Sequence, residues 1–327
     1  MGVIKSMILI TGGAGYIGSH INKLLNKEGY DTIVLDNFSS GNQNTVKWGK
    51  LVEAELKDTQ ALNKIFNKYQ IDGVIHCAAF TSVPESVEYP AMYLKNNYQN
   101  TLNLIKVMKQ NNVKDFIFSS TSSLYGNPLE IPITENAQTK PINPYGQSKL
   151  LVEKTLENES KNGNLNYISL RYFNASGADP ESEIGEMHNP ETHLIPLILN
   201  TAMGKQSYIS IYGENYNTPD GTCIRDYVHV NDISKAHILA LEYLKDKQKS
   251  KIFNLGNGEG FSVKEVINTC QEVTGTTIPT IIKSPRKGDP EKLVADSTKI
   301  RKELNWKPEY DTLNKIVETA WNWHKKQ

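Results

Sequence analysis

Three cysteines in 327 residues, at 77, 223 and 270, leave little material for thiol chemistry. Their number is odd, their spacing is wide and no C-x-x-C pair occurs, so neither a disulfide framework nor a thiolate zinc site is expected. Isolated thiols in a reducing compartment fit better. There is no excess of charge either. Lys+Arg and Asp+Glu stand at 36 each, a formal net charge of zero, which removes the electrostatic case for nucleic acid or an anionic membrane as partner. Any anion site has to come from a few placed residues. No apolar run approaches the roughly 18 residues needed to span a bilayer. The start, MGVIKSMILIT, holds a short apolar run that leads into glycines, without the length or cleavage pattern of a leader, so a cytoplasmic protein is expected. Repeats and low-complexity segments are also missing. What is present, 38% hydrophobic and 22% charged residues, suits a soluble globular chain of one large domain or two modest ones.

The first half alternates short apolar runs with helical patterns. Residues 7–11, 32–36, 51–56, 73–79 and 115–120 read as strands, apolar nearly throughout, as strands covered on both faces should be. Helical periodicity lies between them around 16–28, 59–69 and 90–111, and 166–173 reads as a sixth strand. Alternation at these lengths means right-handed crossovers and a parallel sheet. Beyond about 174 the pattern loosens. Residues 177–193 form a polar, aperiodic stretch expected as a loop. Short strands and helices near 194–203, 231–245, 262–273 and 312–325 follow. The expected architecture is α/β: a Rossmann-type doubly wound parallel sheet over 1–174, with a segment near 225–255 returning to it, and a smaller mixed α/β substrate domain over 175–327.

TGGAGYIGSH joins the first strand to the first helix. Gly12, Gly15 and Gly18, three apart, allow a tight turn, a close approach of backbone amides to a pyrophosphate, and close helix–strand packing. A glycine triplet alone is weak evidence. Here a strand precedes it, a helix follows, and Asp36 ends the second strand. A carboxylate there accepts hydrogen bonds from ribose hydroxyls and repels a 2′-phosphate, so NAD is expected rather than NADP. No Arg or Lys follows in DNFSSGNQN, which strengthens that preference.

In NPYGQSK, Asn143 can cap a helix and Pro144 suits its first position. Tyr145 and Lys149 then share a face at i and i+4. A free phenol, with a pKa near 10, is too weakly acidic to serve as a base at neutral pH. A neighbouring ammonium is expected to lower that value, so that the pair removes a hydroxyl proton while hydride leaves the same carbon. The spacing alone is common and mostly structural. FSSTSSLYG, however, places a run of hydroxyls, Ser119 to Ser123, at the carboxyl end of the fifth strand, the edge at which doubly wound sheets bind ligands.

Together these features resemble the extended short-chain dehydrogenase/reductase family. The likeness runs nearly end to end with its nucleotide-sugar 4-epimerase branch, through LDNFSSG, VIHCAA, ESVEYP, NNYQNTLNL, LRYFNASGA, HLIPL, IYGENYNTPDGTCIRDYVHV, FNLGNGEGFSV and RKGDPEKLVADSTKIRKELNW. The TPDGTCIRDYVHV block is the most specific. The resemblance implies an NAD-dependent isomerase: bound NAD⁺ takes hydride from C4 of a UDP-sugar, the 4-keto sugar swings about its diphosphate, and hydride returns to the opposite face, interconverting UDP-galactose and UDP-glucose. It implies Tyr145 and Lys149 as the catalytic pair and Thr121 as the hydroxyl that bonds the sugar. Cofactor contacts are implied at Tyr16, Ile17, Asp36, Asn37, Ser40, Glu55, Leu56, Cys77, Ala78, Ala79, Phe80, Thr81, Asn96 and Phe173. Substrate contacts are implied at Asn174, His193, Leu194, Ser210, Ile211, Tyr212, Arg225, Arg286 and Leu293. The two arginines suit a diphosphate, which guanidinium pairs in bidentate fashion. A homodimer, and no metal, is expected.

Three positions depart from the family pattern. Glu55 stands where many relatives have aspartate. His193 replaces an asparagine, and a lone histidine is more often packing than chemistry. Leu293 falls where enzymes restricted to the unsubstituted hexoses often carry tyrosine, so extra room and acceptance of UDP-N-acetylglucosamine are expected. The nearest alternative is a 4,6-dehydratase or decarboxylase of the same family. Those need a further carboxylate before YG, where this chain reads Thr121-Ser122-Ser123-Leu124. A simple NAD-dependent dehydrogenase and a non-catalytic NAD-binding protein are the remaining alternatives; the latter typically lacks the Tyr/Lys pair.

Overall fold

The computed structural model describes residues 6–286 and 290–327. The first five residues, part of the stretch read above for a leader, lie outside this range, as do 287–289 of the RKGDP segment. In chain order the elements are β1 (Met7–Thr11), α1 (Tyr16–Lys27), β2 (Asp31–Asp36), β3 (Lys50–Glu53), α2 (Thr59–Lys68), β4 (Gly73–His76), α3 (Val83–Glu88), α4 (Pro90–Tyr93), α5 (Asn100–Gln110), β5 (Asp115–Thr121), α6 (Pro144–Lys161) and β6 (Asn166–Tyr172). After these come β7 (Asn174–Ser176), α7 (Leu194–Ala202), β8 (Ile209–Tyr212), β9 (Ile224–Arg225), β10 (Tyr227–His229), α8 (Val230–Lys247), β11 (Lys251–Leu255), β12 (Phe261–Ser262), α9 (Val263–Thr274), β13 (Thr280–Lys283), β14 (Lys292–Leu293), α10 (Thr298–Leu304) and α11 (Leu313–His324).

Seven strands form the main sheet in the order β11-β6-β5-β4-β1-β2-β3. Parallel register runs from β3 through β2, β1 and β4 to β5, with Leu9 opposite Ile33 on one side and Val74 on the other. Ile8, Leu9 and Ile10 are fully buried, as a strand covered on both faces requires. The order reverses between β1 and β4, which sets the carboxyl ends of those two strands beside each other. Loops leaving such a reversal have space between them for a ligand.

The chain folds into two compact units. One takes the described residues up to Asn127, then Gln138–Arg171 and Ser234–Phe253; the other takes Pro128–Ala137, Tyr172–Ile233 and Asn254–Gln327. The first has its own core of Leu9, Ile33, Val74, Leu104, Phe116, Phe118 and Leu156 among others. The second is built round Ile198, Leu199, Val266, Cys270, Ile316 and Val317. Segment 128–137 belongs to the second unit for polar reasons. Asn254 donates its side chain to the Ile133 carbonyl (2.8 Å), and its amide donates to Glu135 (2.8 Å).

The helix expected over 90–111 runs without a gap from Pro90 to Gln110, but Leu94–Gln99 is wound as a π-helix between α4 and α5. Tyr89 separates it from the short helix α3. Residues 177–193 are a loop, as the aperiodic stretch implied. Strand β3 ends at Glu53 rather than 56, and β4 at His76 rather than 79.

Candidate active site

The turn after β1 is dense for a sterically forced reason. Gly12 has φ +70°, and a Cβ there would stand 2.5 Å from the Ala78 amide nitrogen. At Gly18 a Cβ would come within 2.2 Å of the Gly12 carbonyl. Gly15 caps α1 without a side chain, so the first-turn amides of α1 keep their donors, and the helix N-terminus favours an anion. This cradle fits a dinucleotide pyrophosphate, which the sequence expectation required.

Asp36 closes the loop from the side. Its carboxylate accepts from the Ala14 amide (2.9 Å) and the Phe38 amide (2.9 Å). Burial raises its pKa, and those amides act against the rise. Each oxygen still has a lone pair for a ribose hydroxyl. Asn37 and Ser40 are exposed nearby; Tyr16 and Ile17 are half-buried at the start of α1. Two expected cofactor contacts are placed otherwise. Glu55 pairs with Lys57 at the surface. Leu56 packs into the core of the first unit, which directs its side chain away from any ligand.

Cys77 to Phe80 leave β4 half-buried, and Thr81 is exposed. The thiol of Cys77 lies 3.2 Å from Ser119 Oγ, and burial pushes its pKa up to about 11. Asn96, the expected contact, is half-buried. Its neighbour Asn97, which the sequence reading passed over, organises the segment. Asn97 accepts from the Phe80 amide (2.8 Å), donates to the Phe80 carbonyl (2.9 Å) and donates to Ser148 on α6 (3.1 Å). The π-helical turn places both asparagines.

Helix α6 starts as its sequence predicts: Asn143 accepts from the Gly146 amide (2.8 Å), and Pro144 opens the first turn. Gly146 is required because a Cβ would meet the Ser123 carbonyl at 2.6 Å. Tyr145 and Lys149 are both buried, and the phenol is hydrogen-bonded to Thr121 at the end of β5. Thr121 also accepts from the Ser123 amide (3.1 Å).

The expectation that an ammonium brings the tyrosine pKa down needs correction. Burial pushes Tyr145 up to about 12, with the Thr121 hydrogen bond pulling the other way. Lys149 turns its Nζ to the Ser119 carbonyl (2.9 Å) and sits 4.8 Å from the centre of the Phe118 ring. Burial pulls its own pKa down to about 8, against the opposing influence of Cys77 and Glu153.

One turn beyond Lys149, Glu153 anchors a buried network. It accepts from Ser120 (2.6 Å) and from Arg171 Nη2 (2.6 Å) and Nε (3.0 Å), and Arg171 in turn donates to the Tyr125 hydroxyl (2.9 Å). Both flanks of Thr121 are thereby tied to α6. The four-residue spacing 145-149-153 was the available signal for Glu153.

The remaining expected residues lie in the second unit. Phe173 is buried just past β6, and Asn174 is exposed at the start of β7. Arg225 and Leu293 stand opposite each other on parallel strands β9 and β14. The neighbouring Asp226 carboxylate accepts from the amides of Asn257, Gly258 and Ala295. Arg286 stacks 4.0 Å over the ring of Tyr212. Ser210 is half-buried, but Ile211 packs into the core of this unit, leaving only its backbone for a ligand. His193 is exposed at the N-cap of α7, and Leu194 begins that helix.

Comparison with known proteins agrees with this arrangement. A UDP-glucose 4-epimerase of Halalkalibacterium halodurans is 49% identical over 97% of this chain and 95% of its own. The crystal structure of UDP-glucose 4-epimerase from Brucella ovis in complex with NAD superposes with a TM-score of 0.95 at 43% identity, covering 97% of this chain and 98% of that one. The enzyme from Bifidobacterium longum, in complex with NAD+ and UDP, gives 0.94 at 38% identity, covering 98% and 99%. The model of the NAD dependent epimerase/dehydratase family matches residues 8–256. With a glycine cradle at the head of α1 and a buried Tyr-Lys pair on α6, the chain belongs to the NAD dependent epimerase/dehydratase family.

Proposed function

We propose that this chain interconverts UDP-galactose and UDP-glucose by inverting C4 of the sugar, with NAD as its resident cofactor. The observation that carries the reading is the Thr121–Tyr145 hydrogen bond, in a segment, Thr121-Ser122-Ser123-Leu124, that holds no carboxylate. Elimination or decarboxylation after oxidation needs a further acid/base at that position, and none is there. When bound, NAD supplies a reversible hydride acceptor at C4. Tyr145 takes the O4 proton and gives it back, acting as base and then as acid. Thr121 orients the phenol and the sugar hydroxyl. Lys149, charged at neutral pH on the same face of α6, supplies positive charge that favours the transient phenolate. Gly12, Gly15, Gly18 and Asp36 hold the pyrophosphate and ribose; Arg225 and Arg286 hold the substrate diphosphate. The first unit is thus assigned the cofactor and the proton chemistry, the second the grip on UDP.

Purified protein given UDP-galactose without added NAD should yield UDP-glucose with no net NADH. A 4-keto-6-deoxy product, or none, would overturn the assignment. We extend it to N-acetylated sugars because Leu293 is smaller than tyrosine.

We also assign a homodimer. Val83, Val87, Tyr89, Met92 and Leu94 expose large apolar side chains within twelve residues, Val87 by 64%. Such a patch is uncommon on a monomer. Light scattering should give twice the chain mass of 36.7 kDa, and Val87→Glu with Met92→Glu should give a monomer. Three free cysteines support a reducing compartment, the cytoplasm. Among the described residues, no helix is long and apolar enough to cross a membrane.

A further inference from the structure

Two Glu-x-His units stand five residues apart in the loop ahead of α7: Glu186-Met187-His188 and Glu191-Thr192-His193. Both fold alike. The Glu186 carboxylate accepts from the amides of Met187 (2.8 Å) and His188 (2.9 Å) and from Nδ1 of the His188 ring. The Glu191 carboxylate accepts from the amides of Thr192 (2.6 Å) and His193 (2.7 Å) and from Nδ1 of the His193 ring (2.8 Å).

The two units converge on Glu186. Its second oxygen lies 3.9 Å from Nδ1 of His193, and the imidazole centroids are 5.3 Å apart. One donor atom from each of Glu186, His188 and His193 lies within 4.8 Å of the other two. The cluster is closed on one side and open on the other: the Glu186 side chain is 5% exposed, that of His193 46%. Its floor is fixed. Gly185 lies against the indole of Trp323, where a Cβ would come within 2.5 Å, and Trp323 Nε1 donates to the Glu186 carbonyl (3.1 Å).

Ordering this loop requires only one carboxylate per imidazole, and each unit provides its own. Convergence goes further. It sets a buried carboxylate against two imidazoles, with the ring protons where a cation would sit. We propose that Glu186, His188 and His193 form a site for a divalent transition metal ion of the zinc type, with Glu191 holding His193 in place and water completing the coordination. Two imidazoles with one carboxylate select such an ion over calcium or magnesium, which prefer all-oxygen shells. Bonds of about 2.0–2.2 Å set tetrahedral ligand atoms roughly 3.3–3.5 Å apart, so His193 has to approach Glu186 slightly from 3.9 Å while His188, now hydrogen-bonded to that carboxylate, moves back to admit the ion. Each imidazole binds through Nδ1 as the neutral ring, its hydrogen moved to Nε2; the ring bonds to Glu186 and Glu191 are given up, and Glu191 keeps hold of His193 through its backbone amide (2.7 Å). The ion would fix the residue that caps α7. The proposed epimerisation does not require it, so the two readings stand or fall separately.

The test uses the full chain freed of any affinity tag, loaded with Zn²⁺, dialysed and assayed by elemental analysis and calorimetry. One equivalent per chain is expected, held at least a hundredfold more tightly than by His188→Asn. Cobalt substitution should give the visible bands of a tetrahedral site in the wild type and none in the variant. His188 is half-exposed, so this variant should fold, as circular dichroism will show; Glu186→Gln provides a second loss. Failure of the wild type to take up stoichiometric zinc, or equally tight uptake by both variants, overturns the site.

Discussion

Tyr145 is a weak acid in a dry place, with a pKa near 12, and its one opposing influence is the hydroxyl of Thr121. Tyr145→Phe keeps the packing and removes the proton carrier. Turnover should fall by roughly 10²–10⁴-fold, the usual worth of general acid–base catalysis, while NAD and UDP still bind, as fluorescence titration would show. Lys149 has the opposite relation to stability. Its pKa is depressed by burial to about 8, so the folded state binds this proton less tightly than the unfolded state. The resulting cost is full below pH 8 and fades as pH rises towards the ordinary lysine value. Lys149→Met should therefore be inactive yet melt no lower than wild type at pH 7, by a margin of about 1–2 kcal/mol at most once the lost bond to Ser119 is counted. That margin should close by pH 10 in thermal scans. At Leu293, the reading of a roomy sugar site predicts that Leu293→Tyr loses UDP-N-acetylglucosamine turnover and keeps UDP-galactose turnover. Equal activity of the two proteins on the larger substrate would remove the steric argument.

Elements explain what the residues could not. The parallel strands were readable because they are apolar almost without interruption, and α6 because Asn143-Pro144 marks its start. The π-turn was not, since Leu94, Tyr98, Leu102 and Ile105 keep near-helical spacing across it. Asn96 was named from the family likeness; Asn97, which bonds Phe80 and Ser148, was passed over because a structural amide carries no motif of its own. Leu56 and Ile211 were named from the family likeness, which gives position but not side-chain direction; both side chains pack into cores, which leaves their backbone for a ligand. Glu153 stood one turn beyond Lys149 and was passed over; its partner Arg171, 18 residues on, leaves no local mark. Breaking a buried pair on one side is costly, about 3–5 kcal/mol. Arg171→Met should lower the unfolding free energy from denaturant titration by that amount, whereas replacing both members by apolar residues should recover much of it.

At the scale of the whole chain, three of the four tryptophans, Trp306, Trp321 and Trp323, belong to the second unit and only Trp48 to the first. Tryptophan fluorescence therefore reports mainly on the unit assigned to UDP. Adding UDP at about a hundred times its Kd should raise the stability so detected by roughly 2.7 kcal/mol. Arg286→Ala, which removes the guanidinium stacked on Tyr212, should weaken UDP about tenfold and cancel roughly half of the rise at the same UDP concentration. The split into two units was only partly legible. Segment 128–137 sits in the middle of the first unit's sequence but bonds to Asn254, a pairing across more than a hundred residues that no local pattern announces.

Helix α6 carries Tyr145, Lys149 and Glu153 at intervals of four, so the three are linked by one geometric rule rather than three separate placements. An inserted or deleted residue between 145 and 149 would swing everything after it through about 100°, taking the cation and the anchor off the sheet in a single step. Substitutions can be explored along this helix one at a time; length changes cannot. The family's chemistry should therefore diversify by altering side chains around a frozen count, with insertions confined to loops such as 177–193.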